Sequence, residues 1–283
     1  MSRSALYYAA IMDLYIVLLL CVVIYVALCW LLHLPKVTDY RLKYVVITAC
    51  DSGIGRLLAL RLHALGFNVF AGCATREGVY ALTKGSAPRL KPILLDVTNE
   101  ESLQDFLKTV KLNLPRDTGI WALVNNASIL GTMTSTDLLT SEDYLKVLDM
   151  NLLGPAETIR HFLPLMRKSR GRVVNVSCVN GCLNVLFPPY SASQFGIEAL
   201  SGVVRTLPMT DLNFFCLAIS LAVQRLFRYF FESESSDVDN VLNAYIHAIT
   251  ARVSKTRYVV GWDDAVMTWS MCYLPDFIAD RLV

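Results

Sequence analysis

The fold is decided by residues 44–55, which run YVVITACDSGIG. Residues 44–48 are mostly apolar and β-branched, which predicts a strand buried on both faces of a sheet. The glycines that follow precede an amphipathic stretch, which predicts a helix over residues 57–65 that ends at Gly66. A glycine-containing turn between a strand and a helix directs backbone N–H groups at a phosphate. Taken alone, the motif is explained equally well by a strand–turn–helix that binds nothing.

The rest of the chain alternates short apolar runs with amphipathic stretches, which is typical of a parallel sheet with crossover helices. Further strands are predicted over residues 68–71, 92–95, 121–124, 172–176 and 214–219. Further helices are predicted over residues 101–112, over 140–168 with an interruption near Gly154-Pro155, and over 190–205. We therefore predict an α/β fold with a doubly wound, Rossmann-like parallel sheet.

The composition excludes several classes of protein. The chain has 283 residues, of which 54% are hydrophobic and 18% charged, and its formal net charge is +2. It is too apolar for a disordered chain, and its scattered basic residues form no patch that predicts nucleic-acid binding. The 8 cysteines include no CxxC pair and no cluster with histidine, so we expect reduced thiols and no metal site.

The N-terminal region predicts a membrane anchor. Residues 14–32 contain no charge and are long enough for about 28 Å of helix. Because a secretory signal has a shorter core, we predict an uncleaved, single-pass helix over residues 14–34, after a tail over residues 1–13. The flanking basic residues are Arg3 before the helix and Lys36, Arg41 and Lys43 after it. This asymmetry predicts that the main domain is cytoplasmic.

A series of motifs resembles the short-chain dehydrogenase/reductase family, over residues 41–221. The family pattern Thr-Gly-x-x-x-Gly-x-Gly is matched by residues 48–55, apart from Ala49. The later motifs, in chain order, are Asp96-Val97, Asn125-Asn126-Ala127, Asn151, Ser177-Cys178 and Tyr190. Within the family, residues 50–53, 94–98 and 119–123 look like the membrane-bound retinol and hydroxysteroid dehydrogenases, whose location is the endoplasmic reticulum.

The resemblance implies a nicotinamide cofactor and a small lipophilic substrate, a retinoid or steroid alcohol or ketone. The implied cofactor-binding residues are Thr48, Ala49, Asp51, Ser52, Gly53, Ile54, Gly55, Asp96, Val97, Asn125, Asn126 and Ala127. The implied catalytic residues are Tyr190 as acid and base, Asn151 in a proton relay, Cys178 or Ser177 beside the substrate oxygen, and Gln194. Two alternatives stay open: Asn151 hydrogen-bonds the start of a helix, and Asp96 caps the helix that follows it.

Several departures from the family pattern predict impaired catalysis. The family has a lysine four residues after its tyrosine, and a cation there lowers the pKa of the phenol by roughly 1–3 units. Here that position is Gln194, which carries no charge. By spacing, Cys178 holds the place of the family's serine, and Ser177 substitutes only if the strand end shifts. The other departures are Ala49 for glycine, Ser128 for glycine, and Ser220-Leu221 for a Pro-Gly pair.

Residues 222–283 form a predicted helical segment that is shorter than the substrate-binding region of the family. Within it, residues 269–282 are predicted either to lie on the membrane surface or to pack on the sheet.

Residues 73–75 offer no carboxylate that marks NAD, and Arg76 is placed to meet the 2′-phosphate of NADP. The resemblance nevertheless favours NAD.

Two functions therefore remain open. The first is a membrane-anchored oxidoreductase whose activity is reduced by the loss of the lysine. The second is a catalytically inactive protein that binds a nucleotide or lipid, or that forms a homodimer or heterodimer with a related dehydrogenase through the helix of Tyr190. Because a fold does not entail a function, the residues of the site must decide between them.

Overall fold

The structure, a computed structural model, describes residues 3–84, 88–178, 187–206, 217–221, 235–255 and 257–260. Its described residues divide into two compact units. The first unit lies within Met1–Thr38 and Thr250–Ser254, and the second within Asp39–Ile249 and Lys255–Val283. The predicted strand residues 214–216 and the predicted segment over 269–282 lie outside the described residues.

The first unit is built around helix α1, Arg3–His33. Its portion Tyr15–His33 is long and apolar enough to cross a membrane, by length and composition. The segment that follows the helix is extended, and the N–H of Val37 donates to the carbonyl of Thr250 (2.7 Å).

The second unit is a parallel sheet. Its strands within the described residues are β1 Tyr44–Ile47, β2 Asn68–Cys73, β3 Leu90–Leu94, β4 Ala122–Asn125, β5 Arg172–Cys178, β6 Leu217–Leu221 and β7 Arg257–Val260. They pair in the order β3-β2-β1-β4-β5-β6-β7, and every pair is parallel. The order changes direction between β1 and β4, which is the switch point of a doubly wound sheet. The predicted fold class is confirmed.

Helices cover both faces of the sheet. They are α2 Gly53–Leu65, α3 Arg76–Thr83, α4 Glu100–Asn113, α5 Ser141–Leu148, α6 Gly154–Ser169, α7 Pro188–Thr206 and α8 Ser235–Thr250. One buried cluster contains Leu58 of α2 and Tyr245 of α8, and the other contains Phe106 of α4 and Phe162 of α6. Because each face of the sheet is covered, its strands are apolar on both sides, as the sequence pattern predicts.

The predicted long helix over 140–168 is interrupted beside Gly154-Pro155, as expected, and the structure shows the form of the interruption. The break is a π-helical turn, Asp149–Leu153, which joins α5 to α6 and precedes Gly154-Pro155. A capping box between Thr140 and Asp143 begins α5. Turns of this kind are found mostly at functional positions, and this one contains Asn151.

Candidate active site

A cavity of about 430 Å³ opens at the carboxyl ends of β1, β4 and β5. This edge, beside the switch point, is where doubly wound sheets bind their ligands. The described lining is Ala49 and residues 52–55 after β1, Asn126 and residues 128–130 after β4, residues 176–178 of β5, and Tyr190 and Gln194 of α7. The predicted nucleotide turn and the predicted catalytic tyrosine therefore share one cavity, and no acidic or basic side chain is among these described lining residues.

The turn between β1 and α2 requires glycine. Gly53 has a φ of 56°, in the left-handed region. A Cβ on Gly55 would lie 2.2 Å from the carbonyl oxygen of Ala49 and 2.7 Å from the side-chain nitrogen of Asn126. The side chain of Ser52, which precedes α2, makes no capping hydrogen bond, so the first N–H groups of the helix stay available. This positive helix end beside the cavity fits the pyrophosphate of a dinucleotide.

Ala49 adopts the conformation for which the family pattern has a glycine. Its φ is 54°, a region that costs an L-residue roughly 1–2 kcal/mol. The turn nevertheless keeps its hydrogen bonds, since the N–H of Cys50 donates to the carbonyl of Gly72 (2.8 Å). The substitution therefore strains the nucleotide turn without displacing it.

Asp51 places a carboxylate at the end of β2, although the sequence of that strand end contains none. Its Oδ2 accepts from the N–H of Ala74 (2.8 Å), and its Oδ1 accepts from the N–H (2.9 Å) and hydroxyl (2.7 Å) of Thr75. A Cβ on Gly78 would lie 2.4 Å from this carboxylate, so the close approach depends on that glycine. Asp51 was predicted as a residue of the nucleotide turn, but its place at the end of β2 was not, because the carboxylate comes from the turn rather than from the strand.

Asn125 connects elements of the fold inside the sheet. The buried Asn125 donates from Nδ2 to Oδ1 of Asn175 (2.8 Å) and accepts at Oδ1 from the hydroxyl of Thr158 (2.7 Å). It therefore ties β4 to β5 and α6, and it is not among the described residues that line the cavity. Because both ends of its amide meet a partner, the buried side chain of Asn125 is satisfied.

Asn126 supports the nucleotide turn from behind. Its Nδ2 donates to the carbonyls of Thr48 and Ala49 (both 3.2 Å), and its Oδ1 accepts from the hydroxyl of Tyr245 (3.3 Å). The hydroxyl of Thr48 accepts from the N–H groups of Asn126 (2.9 Å) and Ala127 (3.0 Å). Tyr245 is fully buried on α8. Sequence reasoning missed it, because it lies 119 residues from its partner and belongs to no motif.

Tyr245→Phe is expected to weaken the binding of nicotinamide dinucleotide by roughly threefold to tenfold, because one hydrogen bond that orients the amide of Asn126 is lost. Calorimetric titration of the full chain measures the dissociation constant. Tyr258→Phe is the matched control, since that hydroxyl accepts from the N–H of Lys255 and lies on β7. An equal loss in both variants, or no loss in either, would contradict the assignment.

Tyr190 lies in the first turn of α7 and is 4% exposed. Burial and the neighbouring Cys178 thiol raise the pKa of its phenol well above the ordinary value near 10. Hydrogen bonding from the hydroxyl of Ser128 acts in the opposite direction on that pKa. At neutral pH the phenol is therefore protonated, which suits a general acid and leaves little of the base form.

Gln194 lies one helical turn after Tyr190 and is 2% exposed. Its Oε1 accepts a hydrogen bond from the N–H of Cys178 (3.0 Å), at the end of β5. That donor fixes which end of the amide is oxygen, so the other end is the NH₂ group. A neutral amide therefore stands where the family has a cation, and it fastens α7 to the end of β5.

Cys178 and Ser177 both line the cavity and are both buried. The hydroxyl of Ser177 donates to the carbonyl of Cys178 (3.4 Å). The strand end is held by its pairing with β6, where Ser177 faces Ser220 and Cys178 faces Leu221. A thiol is a weaker hydrogen-bond donor than a hydroxyl.

Asn151 joins two parts of the site. Its Oδ1 accepts from the N–H of Ile129 (2.8 Å), and its Nδ2 donates to the carbonyl of the same residue (2.8 Å). The Nδ2 also donates to the hydroxyl of Ser193 (3.0 Å), which donates to the carbonyl of Tyr190 (2.7 Å). Asn151 thus fixes the segment after β4 relative to α7, and it lies in the π-helical turn rather than at a helix start.

Asp96 follows β3 and is exposed, and it is not the cap of α4. Its Oδ1 accepts from the N–H (2.9 Å) and hydroxyl (2.7 Å) of Thr98. The cap is Asn99, whose side chain accepts from the N–H of Ser102 (2.9 Å). The alternative in which Asp96 caps the helix is therefore wrong. Neither Asp96 nor the buried Val97 belongs to the described lining of the cavity.

One cluster of possible metal ligands lies elsewhere, on α4 and α6. Glu100, Glu157 and His161 bring their ligand atoms within 4.8 Å of one another. The guanidinium of Arg160 donates to Glu157 (2.7 Å) and to Glu100 (3.2 Å). Both carboxylates are therefore already paired with a cation of the chain itself, and the cluster is a surface ion-pair network.

Comparison with known proteins gives concordant results. The family described as short chain dehydrogenase matches residues 43–207. Human retinol dehydrogenase 16 is 34% identical, with 92% of this chain and 95% of that protein covered. Human 17-beta-hydroxysteroid dehydrogenase type 6 is 32% identical, with 92% and 93% covered. A crystal structure of a short-chain dehydrogenase from Streptomyces avermitilis has a TM-score of 0.70 at 23% identity, over 85% of this chain and 95% of that one.

Proposed function

The chain belongs to the short-chain dehydrogenase/reductase family, in the branch of the retinol and hydroxysteroid dehydrogenases. From this premise we propose that it binds NAD in the cavity at the carboxyl edge of the sheet. Its substrate is a retinoid or steroid alcohol or ketone, which it turns over slowly because Gln194 replaces the lysine. The proposal is carried by one observation: Tyr190 and the glycine turn share a cavity whose described lining holds no cation.

The turn after β1 holds the nucleotide. The free N–H groups at the start of α2, together with Gly53 and Gly55, receive the pyrophosphate. The carboxylate of Asp51 at the end of β2 supports NAD over NADP, because it repels a 2′-phosphate and attracts ribose hydroxyls. Arg76, the exposed first residue of α3, is a nearby cation that favours NADP.

The catalytic proton is held at the phenol oxygen of Tyr190. A bound nicotinamide supplies the acceptor or donor of hydride. In alcohol oxidation the phenolate must take the hydroxyl proton of the substrate. In ketone reduction the phenol donates its proton to the substrate oxygen. Burial keeps the pKa of Tyr190 high, and the amide of Gln194 has no charge with which to lower it. The scarcity of the phenolate at neutral pH accounts for slow oxidation.

Helix α1 supports attachment to a lipid bilayer. It is apolar around its whole circumference, which is typical of a membrane-spanning helix rather than of a surface helix. Arg3 precedes the candidate span Tyr15–His33, and Lys36, Arg41 and Lys43 follow it, so the positive-inside rule favours a cytoplasmic main domain. The proposed location is the membrane of the endoplasmic reticulum, with one crossing.

A second candidate function is favoured by an exposed apolar stripe on α7. Ala192, Phe195, Ala199 and Val203 follow one another at helical spacing and are all exposed, Phe195 by 40% and Val203 by 57%. A stripe of this kind on a helix that also carries Tyr190 suits pairing with a second copy or with a related dehydrogenase. In this function the chain is an inactive partner that still binds a nucleotide or lipid.

Titration and assay of the full chain in detergent micelles test the proposal. Calorimetry with NAD and NADP in both redox states gives the dissociation constants, and retinol and androgens are the substrates for turnover. Slow turnover that Tyr190→Phe abolishes is the expected result. Nucleotide binding without turnover, together with dimers that Phe195→Glu dissociates, supports the inactive partner. Absence of nucleotide binding at millimolar concentration would contradict both nucleotide-dependent functions.

A further inference from the structure

The backbone of Ser128 is held in place through the residues before and after it. The N–H of Ala127 donates to the buried hydroxyl of Thr48 (3.0 Å). The N–H and carbonyl of Ile129 both pair with the buried amide of Asn151 (2.8 Å each). The backbone of Ser128 is therefore fixed between two anchored neighbours, and its side chain lines the cavity.

The same network fixes Tyr190 relative to Ser128. The amide of Asn151 reaches the hydroxyl of Ser193 (3.0 Å), and that hydroxyl donates to the carbonyl of Tyr190 (2.7 Å). The two side chains therefore belong to segments that one buried asparagine ties together. Hydrogen bonding from Ser128 lowers the pKa of the phenol, against the larger effect of burial, so the serine hydroxyl acts on the phenol.

Three other side chains of the lining are less suited to hydrogen-bond a substrate oxygen beside Tyr190. Cys178, at the place of the family's serine, also hydrogen-bonds the phenol and raises its pKa, but its thiol is a weaker donor than a hydroxyl. Ser177 directs its hydroxyl to the carbonyl of Cys178 (3.4 Å). Ser52 lies in the turn at the start of α2, on the nucleotide side of the cavity. Among the described residues of the lining, Ser128 is the serine whose hydroxyl lowers the pKa of the Tyr190 phenol, and both side chains line the same cavity.

We propose that Ser128 and Tyr190 together bind the oxygen of the substrate, so that Ser128 supplies the hydroxyl that position 178 has lost. The inference rests on the proposed function and adds a catalytic residue to it. When the substrate binds, the single O–H of Ser128 turns from the phenol to the substrate oxygen, and Tyr190 exchanges the proton with that oxygen. No bond to Ser128 forms or breaks, so its contribution is electrostatic stabilisation and orientation.

Binding of a steroid alcohol tests this role without turnover. Tritiated androstanediol is dialysed against the full chain in detergent micelles with saturating NADH, with empty micelles as the blank. Ser128→Ala is expected to weaken the binding about tenfold, because a hydrogen bond to the ligand is lost in a buried cavity. Adding Cys178→Ser to Ser128→Ala is expected to return the affinity to within about threefold of the original, a rescue that a purely structural serine would not allow.

Ser135→Ala is the matched control. Ser135 follows β4 on the same connection, is exposed, and hydrogen-bonds Asp137 outside the cavity, so its loss is expected to change nothing. Unchanged affinity in Ser128→Ala, or a loss in Ser177→Ala in its place, would overturn the assignment. If the unmodified chain with NADH retains neither androstanediol nor retinol, the proposed function has failed first and the inference falls with it. Nucleotide titration measures cofactor binding separately.

Discussion

Replacing Gln194 by lysine is expected to raise the rate of alcohol oxidation at neutral pH by roughly tenfold to a thousandfold. An ammonium one helical turn from Tyr190 stabilises the phenolate, so its pKa falls and the base form becomes more abundant. The measurement is initial-rate kinetics of the full chain with NAD and retinol or an androgen. Because a lysine at a 2% exposed position carries a desolvation cost, the thermal midpoint of Gln194→Lys is expected to fall.

The pH dependence gives the same prediction an independent readout. In the unmodified chain the pKa of Tyr190 lies well above 10, so the oxidation rate rises with pH across the neutral and alkaline range. In Gln194→Lys the rise moves to lower pH, because a nearby cation favours the deprotonated phenol. A rate profile that keeps its position in both proteins would contradict the role assigned to the missing charge.

Two further variants test whether the gain in rate comes from a charge at position 194. Gln194→Met keeps the length of the side chain without a charge and is expected to give no gain. Gln104→Lys makes the same chemical change on the exposed face of α4, where the amide bonds Glu100, and is expected to leave turnover unchanged. If the unmodified chain already oxidises alcohols as fast as Gln194→Lys, the site is not impaired and another basic group performs the work of the lysine.

The strands of the sheet were predictable because their apolar, β-branched runs are buried on both faces. The residues at which the strands end were harder to predict. The apolar run of β5 ends at Val176, but the strand continues to Cys178, where the family motif places its end, because Ser177 and Cys178 pair with β6. A polar residue at a strand end gives no periodic signal, since its place is decided by a partner strand far along the chain. The same dependence hid β7, whose place is decided by its pairing with β6.

The residues of the site were predictable where motifs name them, and not where contacts are long-range. Tyr190, Cys178 and Gln194 share the cavity because their motifs sit at strand ends and on the helix that follows. By contrast, Tyr245 meets Asn126 across 119 residues. Such a contact depends on how α8 packs against the sheet, which no local pattern encodes. The π-helical turn at Asn151 was not predicted either, because the residues that form it also suit an ordinary α-helix.

Gly55→Ala is expected to abolish nucleotide binding at useful concentrations, with a loss of roughly a hundredfold in affinity. The added Cβ would lie 2.2 Å from the carbonyl oxygen of Ala49 and 2.7 Å from the amide of Asn126, so the turn must move. Both neighbours are poorly placed to yield, since Ala49 already has a strained φ of 54° and Asn126 is bonded to the turn. Calorimetric titration with NAD gives the affinity.

Stability distinguishes this effect from a simple change of helix propensity. Gly55→Ala is expected to lower the free energy of unfolding by about 2–3 kcal/mol, as overpacking against backbone does. Gly202→Ala is the matched control, because a Cβ on Gly202 of α7 meets nothing within 4 Å and alanine stabilises a helix interior by about 0.5–1 kcal/mol. Thermal unfolding should therefore shift in opposite directions, with nucleotide affinity lost only in Gly55→Ala. If both variants bind alike, the turn after β1 does not hold the pyrophosphate, since a nucleotide cradled there has no room for the displaced backbone.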